Sequence, residues 1–272
     1  MIKLIQGDCL EEMRKLAEEE VKVDLVLTDP PYNLTQCKWD IMVHLDEMWD
    51  CLNQLKKETA PVILFGNEPY SSKVRLSNIK NYKYDIIWDK IVRSGHLNAK
   101  KQPMRQYENI MLFYDKQCTY NPIMWEGKEE NHNRTSTNTN PNVYNDYKAV
   151  PVKFTKMKYP TNIISVNAKA KECNGQNRVH PTQKPVDLLK YLIKTYSLEG
   201  DTVLDFTMGS GSTGVACLET NRILLDDGTE LKLPYLSDLQ TDLENLDEVI
   251  ETTEYDSRAE EILLIAKEMR LL

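Results

Sequence analysis

The segment Leu27-Thr28-Asp29-Pro30-Pro31-Tyr32-Asn33 has the clearest chemical potential in this sequence. Consecutive prolines fix φ and remove two backbone N–H groups, so Pro30 and Pro31 form a stiff run that presents carbonyl oxygens only. Asp29 adds another acceptor just before them, and Tyr32 adds a flat face just after. Such a corner suits an amino group carried on a planar ring: the amine donates to Asp29 and a carbonyl while the ring lies on Tyr32. Without that chemistry, the segment is simply a turn that ends a strand.

A second candidate is Asp205-Phe206-Thr207-Met208-Gly209-Ser210-Gly211-Ser212-Thr213-Gly214. Glycines let a backbone approach a ligand closely, and the start of the helix that follows supplies N–H donors. Glycines 209, 211 and 214 match the spacing G-x-G-x-x-G, and no Lys follows the last of them as a Walker loop would need. Alone, this run reads equally well as a tight turn. The third candidate, His180-Pro181-Thr182-Gln183-Lys184-Pro185, reads by itself as a loop and a helix start. No partner lies at ligand spacing from His180, so the sequence offers no metal site.

These motifs need elements to hold them. Val23–Thr28 has the β-branched and aliphatic content of a buried strand, stopped by Asp29-Pro30-Pro31. Pro61–Gly66, Lys83–Asp89, Asn109–Tyr114 and Thr202–Asp205 read as further strands, and Ile2–Ile5 as a short one. Cys9–Glu20, residues 43–58 and Ser71–Asn78 read as helices. Lys184-Pro185 opens another, with Val186, Leu189, Leu192 and Ile193 on one face. Gly214–Thr220 begins the helix that follows Thr202–Asp205. Strands alternating with helices predict an α/β domain with a mainly parallel sheet, whose ligands sit at the carboxyl ends of the strands.

At 272 residues with 41% apolar types, the chain can bury a sizeable core, and no apolar run reaches the roughly 18–20 residues of a bilayer span. The start, Met1-Ile2-Lys3-Leu4, lacks a signal-peptide pattern. Six cysteines with no Cys-x-x-Cys pair argue against structural zinc and against a disulfide framework, and fit a reducing cytoplasm. The net charge of −8 at first disfavours nucleic acid, but it is unevenly distributed. Residues 223–272 carry 14 acids and 4 bases, whereas residues 73–105 carry nine bases against two acids and residues 148–194 ten against two. Local potential, not global charge, decides contact with phosphates, so these two basic segments are either phosphate-binding or solvated surface.

The three motifs in this order resemble the DNA amino-methyltransferases that use S-adenosylmethionine, with the catalytic motif ahead of the cofactor motif as in the beta subgroup. Gln6-Gly7-Asp8-Cys9-Leu10, Ile86-Ile87-Trp88-Asp89-Lys90, Asn98-Ala99-Lys100-Lys101 and Glu108-Asn109-Ile110 look like the same family. The likeness spans residues 1–222 and implies a Rossmann-like methyltransferase fold with a target-recognition insertion at 119–170. It implies catalysis by Asp29, Pro30, Pro31 and Tyr32, and S-adenosylmethionine binding by Asp8, Lys184, Asp205, Thr207, Gly209, Gly211, Ser212 and Thr213. The implied partner is double-stranded DNA, with a homodimer and a cognate restriction enzyme suggested by family habit. Asp-Pro-Pro-Tyr, in place of the Ser-Pro-Pro-Tyr usual for cytosine-N4 enzymes, points to adenine N6. Cytosine N4 is the alternative activity, and a DNA-binding remnant with impaired catalysis is the alternative from another class.

Residues 223–272 depart from this pattern. The family continues into an apolar strand ending in an acid that holds the cofactor's ribose. Here Ile223-Leu224-Leu225 runs straight into Asp226-Asp227-Gly228-Thr229, and Asp-Gly between apolar runs signals a hairpin. Asp226 and Asp227 are the candidates for the ribose role. The rest forms an acidic tail, with Ala259–Leu271 reading as a separate amphipathic helix.

Overall fold

The computed structural model describes residues 2–34, 40–127, 156–169 and 183–226. Its centre is an eight-stranded sheet whose strands, in spatial order, are β1 (Ile2–Leu4), β10 (Ile223–Asp226), β9 (Thr202–Asp205), β2 (Leu25–Thr28), β3 (Val62–Gly66), β5 (Arg105–Phe113), β4 (Tyr82–Ser94) and β8 (Ile163–Ser165). The first five run parallel. β5 is antiparallel to both β3 and β4, and β8 lies parallel to β4 at the far edge. The mainly parallel α/β sheet expected from the sequence is therefore present.

Burial on both faces explains why the central strands are almost wholly apolar. Alternate residues point to opposite faces. Leu25, Leu27, Ile63, Phe65 and Val203 meet α4 (Val186–Tyr196) and α5 (Ser212–Leu218) through Leu189, Leu192, Ile193 and Cys217. Val26, Val62, Leu64 and Leu204 meet α1 (Cys9–Glu18), α2 (Leu45–Leu55) and α3 (Tyr70–Ser77) through Met13, Leu16, Met48, Leu52 and Val74. Helices on both faces of the sheet make the three-layer arrangement that a doubly wound chain produces.

Three local readings change. The sequence boundary at 222 cuts through the sheet: Ile223–Asp226 is a strand between β1 and β9, with Asp226 in register with Asp205. Its entry is pinned by Arg222, which is 7% exposed and donates to Ser197 Oγ (3.1 Å) and Ser197 O (2.9 Å). Second, Ile163–Ser165, inside the stretch expected as an insertion, joins the main sheet. Trp88 Nε1 donates to Val166 O at 2.9 Å just beyond it. Third, Pro185 caps α4 from outside and does not occupy its first turn. Two further short strands, β6 (Trp125–Glu126) and β7 (Met157–Lys158), pair with each other apart from the main sheet. Residues 128–155 and 170 of the 119–170 stretch, His180–Thr182, the Asp227-Gly228 turn and the 259–271 helix lie outside the described residues. Among the described residues no helix is long and apolar enough to cross a membrane.

Candidate active site

Four parallel neighbours, β1, β10, β9 and β2, end at the same edge of the sheet, and each is followed by or finishes on an acid: Asp8, Asp226, Asp205 and Asp29. Asp8 is the N-cap of α1. Its Oδ1 accepts from Leu10 N (3.0 Å) and Glu11 N (3.2 Å), satisfying two of the helix's otherwise orphaned donors.

After β2 the chain turns through Asp29–Tyr32. Asn33 adopts a left-handed backbone (φ 55°), and the N–H groups of Asn33 and Leu34 donate to the buried Asp40 carboxylate at 2.7 and 2.8 Å. The far side of the corner is thus fixed by an acid the motif does not contain. The Tyr32 ring stacks on Tyr70 with centroids 5.0 Å apart and planes 29° apart, and its hydroxyl donates to Asp29 Oδ1. Asp29 Oδ2 accepts from the Lys184 ammonium.

Lys184 is 8% exposed and lies over the Phe65 ring, 5.1 Å from its centroid. It also stands 3.5 Å from Glu108 Oε2, while Lys90 Nζ donates to Glu108 Oε1 at 3.0 Å. Two acids and two ammonium groups therefore share one pocket. Burial pushes the Asp29 carboxyl up against the pull of Lys184, and nearby Glu108 adds to the rise. Burial would raise Glu108 as well, but Lys184 and Lys90 outweigh it and hold its carboxyl below the usual range. Lys184 stays a firm cation because Asp29 and Glu108 outweigh its own burial.

The neighbouring turn is tied to this corner. Thr28 Oγ1 donates to Asp205 Oδ1 (2.7 Å) and lies 2.5 Å from Thr207 Oγ1, and Thr207 N donates to the same Asp205 oxygen (3.1 Å). Asp205 is 2% exposed, and burial raises its carboxyl to about 6. The turn then uses left-handed backbone at Gly209 (φ 64°) and Gly211 (φ 81°). A Cβ on Gly211 would meet nothing within 4 Å, so conformation, not crowding, demands glycine there.

Corner and turn open into one cleft of about 850 Å³, within the usual range for small-molecule sites. Asp8, Asp29, Pro30, Pro31, Tyr32, Lys184, Asp205, Thr207, Gly209, Ser212 and Thr213 all line it. Gly211 does not; it serves by turning the chain into α5. Lys184, expected at the cofactor, is held on the corner side by Asp29 and Glu108. Glu108 and Lys90 lie inside segments that carry the family likeness, yet nothing in their sequence context marked them as part of an ion cluster. Tyr70 and Asp40 gave no signal at all.

A family model described as N6_N4_Mtase, DNA methylase, matches residues 23–238. Over 249 residues the chain is 28% identical to DNA adenine methyltransferase YhdJ of Escherichia coli K12, covering 86% of this chain and 79% of that one. It is 24% identical over 232 residues to type II methyltransferase M.HpaI of Haemophilus parainfluenzae, covering 81% and 68% respectively. Among solved structures, the fold is similar to that of the M1.HpyAVI–SAM complex (TM-score 0.55, 20% identity, 88% of this chain and 100% of that one). It is also similar to PvuII DNA methyltransferase, cytosine-N4-specific (TM-score 0.57, 16% identity, 90% and 93%). With the family model covering well over half of its length, the chain belongs to the DNA methylases of the N6/N4 amino-methyltransferase family.

Proposed function

We propose that this chain transfers a methyl group from S-adenosylmethionine to N6 of adenine in double-stranded DNA. The observation that carries the reading is the Thr28–Asp205–Thr207 hydrogen-bond bridge, which fastens the acceptor corner to the glycine turn so that both face one cleft.

The residues present suit each half of the reaction. On the cofactor side stand a buried carboxylate, Asp205, a backbone laid bare by Gly209, and the hydroxyls of Thr207, Ser212 and Thr213. Asp226 ends the strand in register with Asp205, and Asp226 and Asp227 are the two sequence candidates for the ribose hydroxyls. When bound, S-adenosylmethionine supplies a methyl carbon already activated by its sulfonium. The chain's own task is to present the nucleophile. An exocyclic amine on adenine is a poor nucleophile because its lone pair is delocalised into the ring. Asp29 and the Pro30 carbonyl accept hydrogen bonds from its two N–H groups, which favours a pyramidal nitrogen with its lone pair aimed along the cleft, and Asp29 takes the one proton that the nitrogen sheds as it gains the methyl group. Tyr32, backed by Tyr70, offers the base a stacking face. Placement and acceptor geometry then supply the rate, with no covalent intermediate on the protein.

A base in a duplex cannot reach such a corner, so the target must be flipped out of the stack. Arg93 and Arg105 of the β4–β5 hairpin line the cleft, and Lys100 and Lys101 lie in the connection between these strands. This hairpin is our candidate for the phosphate contacts. An acid at the head of Asp-Pro-Pro-Tyr, together with the likeness to an enzyme named as an adenine methyltransferase, supports adenine over cytosine. The test is incubation of purified protein with methyl-labelled S-adenosylmethionine and mixed-sequence duplex DNA, followed by mass identification of the nucleosides. N6-methyladenine is expected. N4-methylcytosine would reassign the target, and unlabelled DNA would overturn the reading.

A further inference from the structure

Both oxygens of Asp29 are already occupied by the protein itself, Oδ1 by the Tyr32 hydroxyl and Oδ2 by the Lys184 ammonium. Each oxygen keeps a second lone pair, but while an ammonium sits on Oδ2 the carboxylate is a weakened acceptor for the substrate amine that the proposed function brings to it. Tyr32 is held at the corner by its own backbone and its stack on Tyr70. Lys184 has somewhere to go. Glu108 Oε2 is buried, receives no hydrogen bond and lies 3.5 Å from Lys184 Nζ, while the other oxygen of the same carboxylate is held by Lys90 at 3.0 Å. A buried carboxylate oxygen left without a donor is costly, and native structures seldom keep one without a use.

We infer that Lys184 is a displaceable stand-in for the substrate amine, and that Glu108 Oε2 is the acceptor that receives its ammonium when the base enters. The exchange involves no bond making beyond hydrogen bonds. The Lys184 Nζ–H leaves Asp29 Oδ2 for Glu108 Oε2, and the incoming amine N–H takes its place on Asp29. Asp29 and Glu108 balance Lys184 and Lys90, and the incoming amine is neutral, so the cluster carries no net charge before or after. No backbone movement is needed, because both acceptors already flank the ammonium. Lys184 and Glu108 are thus positioning residues: the pair keeps Asp29 ionised and satisfied while the cleft waits, then clears it. This rests on the amino-methyltransferase reading of the cleft.

The test combines kinetics with one complex. In Glu108→Gln the ammonium loses its charged destination and stays on Asp29. We expect kcat to fall at least about tenfold, with KM for S-adenosylmethionine and affinity for duplex DNA unchanged. A kcat for Glu108→Gln equal to that of the wild-type chain would overturn the inference. Circular dichroism and thermal melts establish that the variant folds. For the wild-type chain, a crystal structure is solved with S-adenosylhomocysteine and a duplex carrying its target, found by sequencing methylated bases in a plasmid that expresses it. Lys184 Nζ should lie on Glu108 and away from Asp29. A flipped base seated on Asp29 with Lys184 unmoved defeats this inference alone. A bound duplex with no base at Asp29 defeats the proposed function and this inference with it.

Discussion

Asp205→Asn should make the protein more stable and less able to bind its cofactor. Asp205 is 2% exposed, and its carboxyl is raised from an ordinary value near 3.8 to about 6 by burial, against the pull of hydrogen bonds that include Thr28 Oγ1 and Thr207 N. Because the folded chain holds this proton more tightly than the unfolded one, Asp205 contributes a loss of stability as pH rises from about 4 to about 6. At about 1.4 kcal/mol per pH unit, the full loss at pH 7.5 is about 3 kcal/mol. Asn keeps an oxygen acceptor for Thr28 and Thr207 and removes the charge. The variant should therefore exceed wild type by up to about 3 kcal/mol at pH 7.5 and by only about 1 kcal/mol at pH 4.5. Urea denaturation at both pH values measures the difference, and calorimetry with S-adenosylmethionine should show weakened binding at pH 7.5. A variant less stable than wild type at pH 7.5, or an advantage that does not grow with pH, would refute the electrostatic reasoning. Stronger cofactor binding would refute the assignment of Asp205 to the cofactor.

Three further perturbations bear on the other half of the cleft. Asp29→Ala should lower single-turnover methylation by at least about 10²-fold while leaving DNA affinity in gel-shift titrations largely intact; undiminished methyl transfer would remove Asp29 from the mechanism. Tyr32→Ala loses a stacking face worth about 1–3 kcal/mol per base, whereas Tyr32→Phe keeps it, so 2-aminopurine fluorescence at the target should fall in the first variant and persist in the second. Replacing Lys100 and Lys101 together by Ala should flatten the log–log dependence of DNA affinity on salt by about two; an unchanged slope would place the phosphate contacts elsewhere.

Much of this site could be read in advance because its parts are local. Thr202–Asp205 was expected as a strand and is one, residue for residue, since a run of Val and Leu flanked by a turn at 198–201 and a glycine loop has few other uses. The acceptor corner and the glycine turn were legible for the same reason: proline and glycine impose backbone geometry on their own neighbourhood. What failed was decided by tertiary pairing. Ile223–Asp226 is only four residues long and sits before an Asp-Gly pair, so local chemistry favours a hairpin, yet β1 and β9 offer a parallel slot on either side of it. Ile163–Ser165 is equally short and is completed by Trp88 and the edge of β4. The ion cluster was the least legible part. Lys184 and Asp29 are 155 positions apart, and a lysine at a helix start carries no mark of the buried acids it will meet.

The central claim is that an amine-accepting corner and a cofactor turn face each other across one cleft. Calorimetry with a bisubstrate compound, adenosine joined through N6 by a short linker to the sulfur position of the cofactor's nucleoside, tests it most directly. One equivalent should bind at least about 100-fold more tightly than either half, and Asp29→Ala should remove the gain contributed by the adenine end. Binding no tighter than the cofactor half alone, or unaffected by Asp29→Ala, would contradict the account.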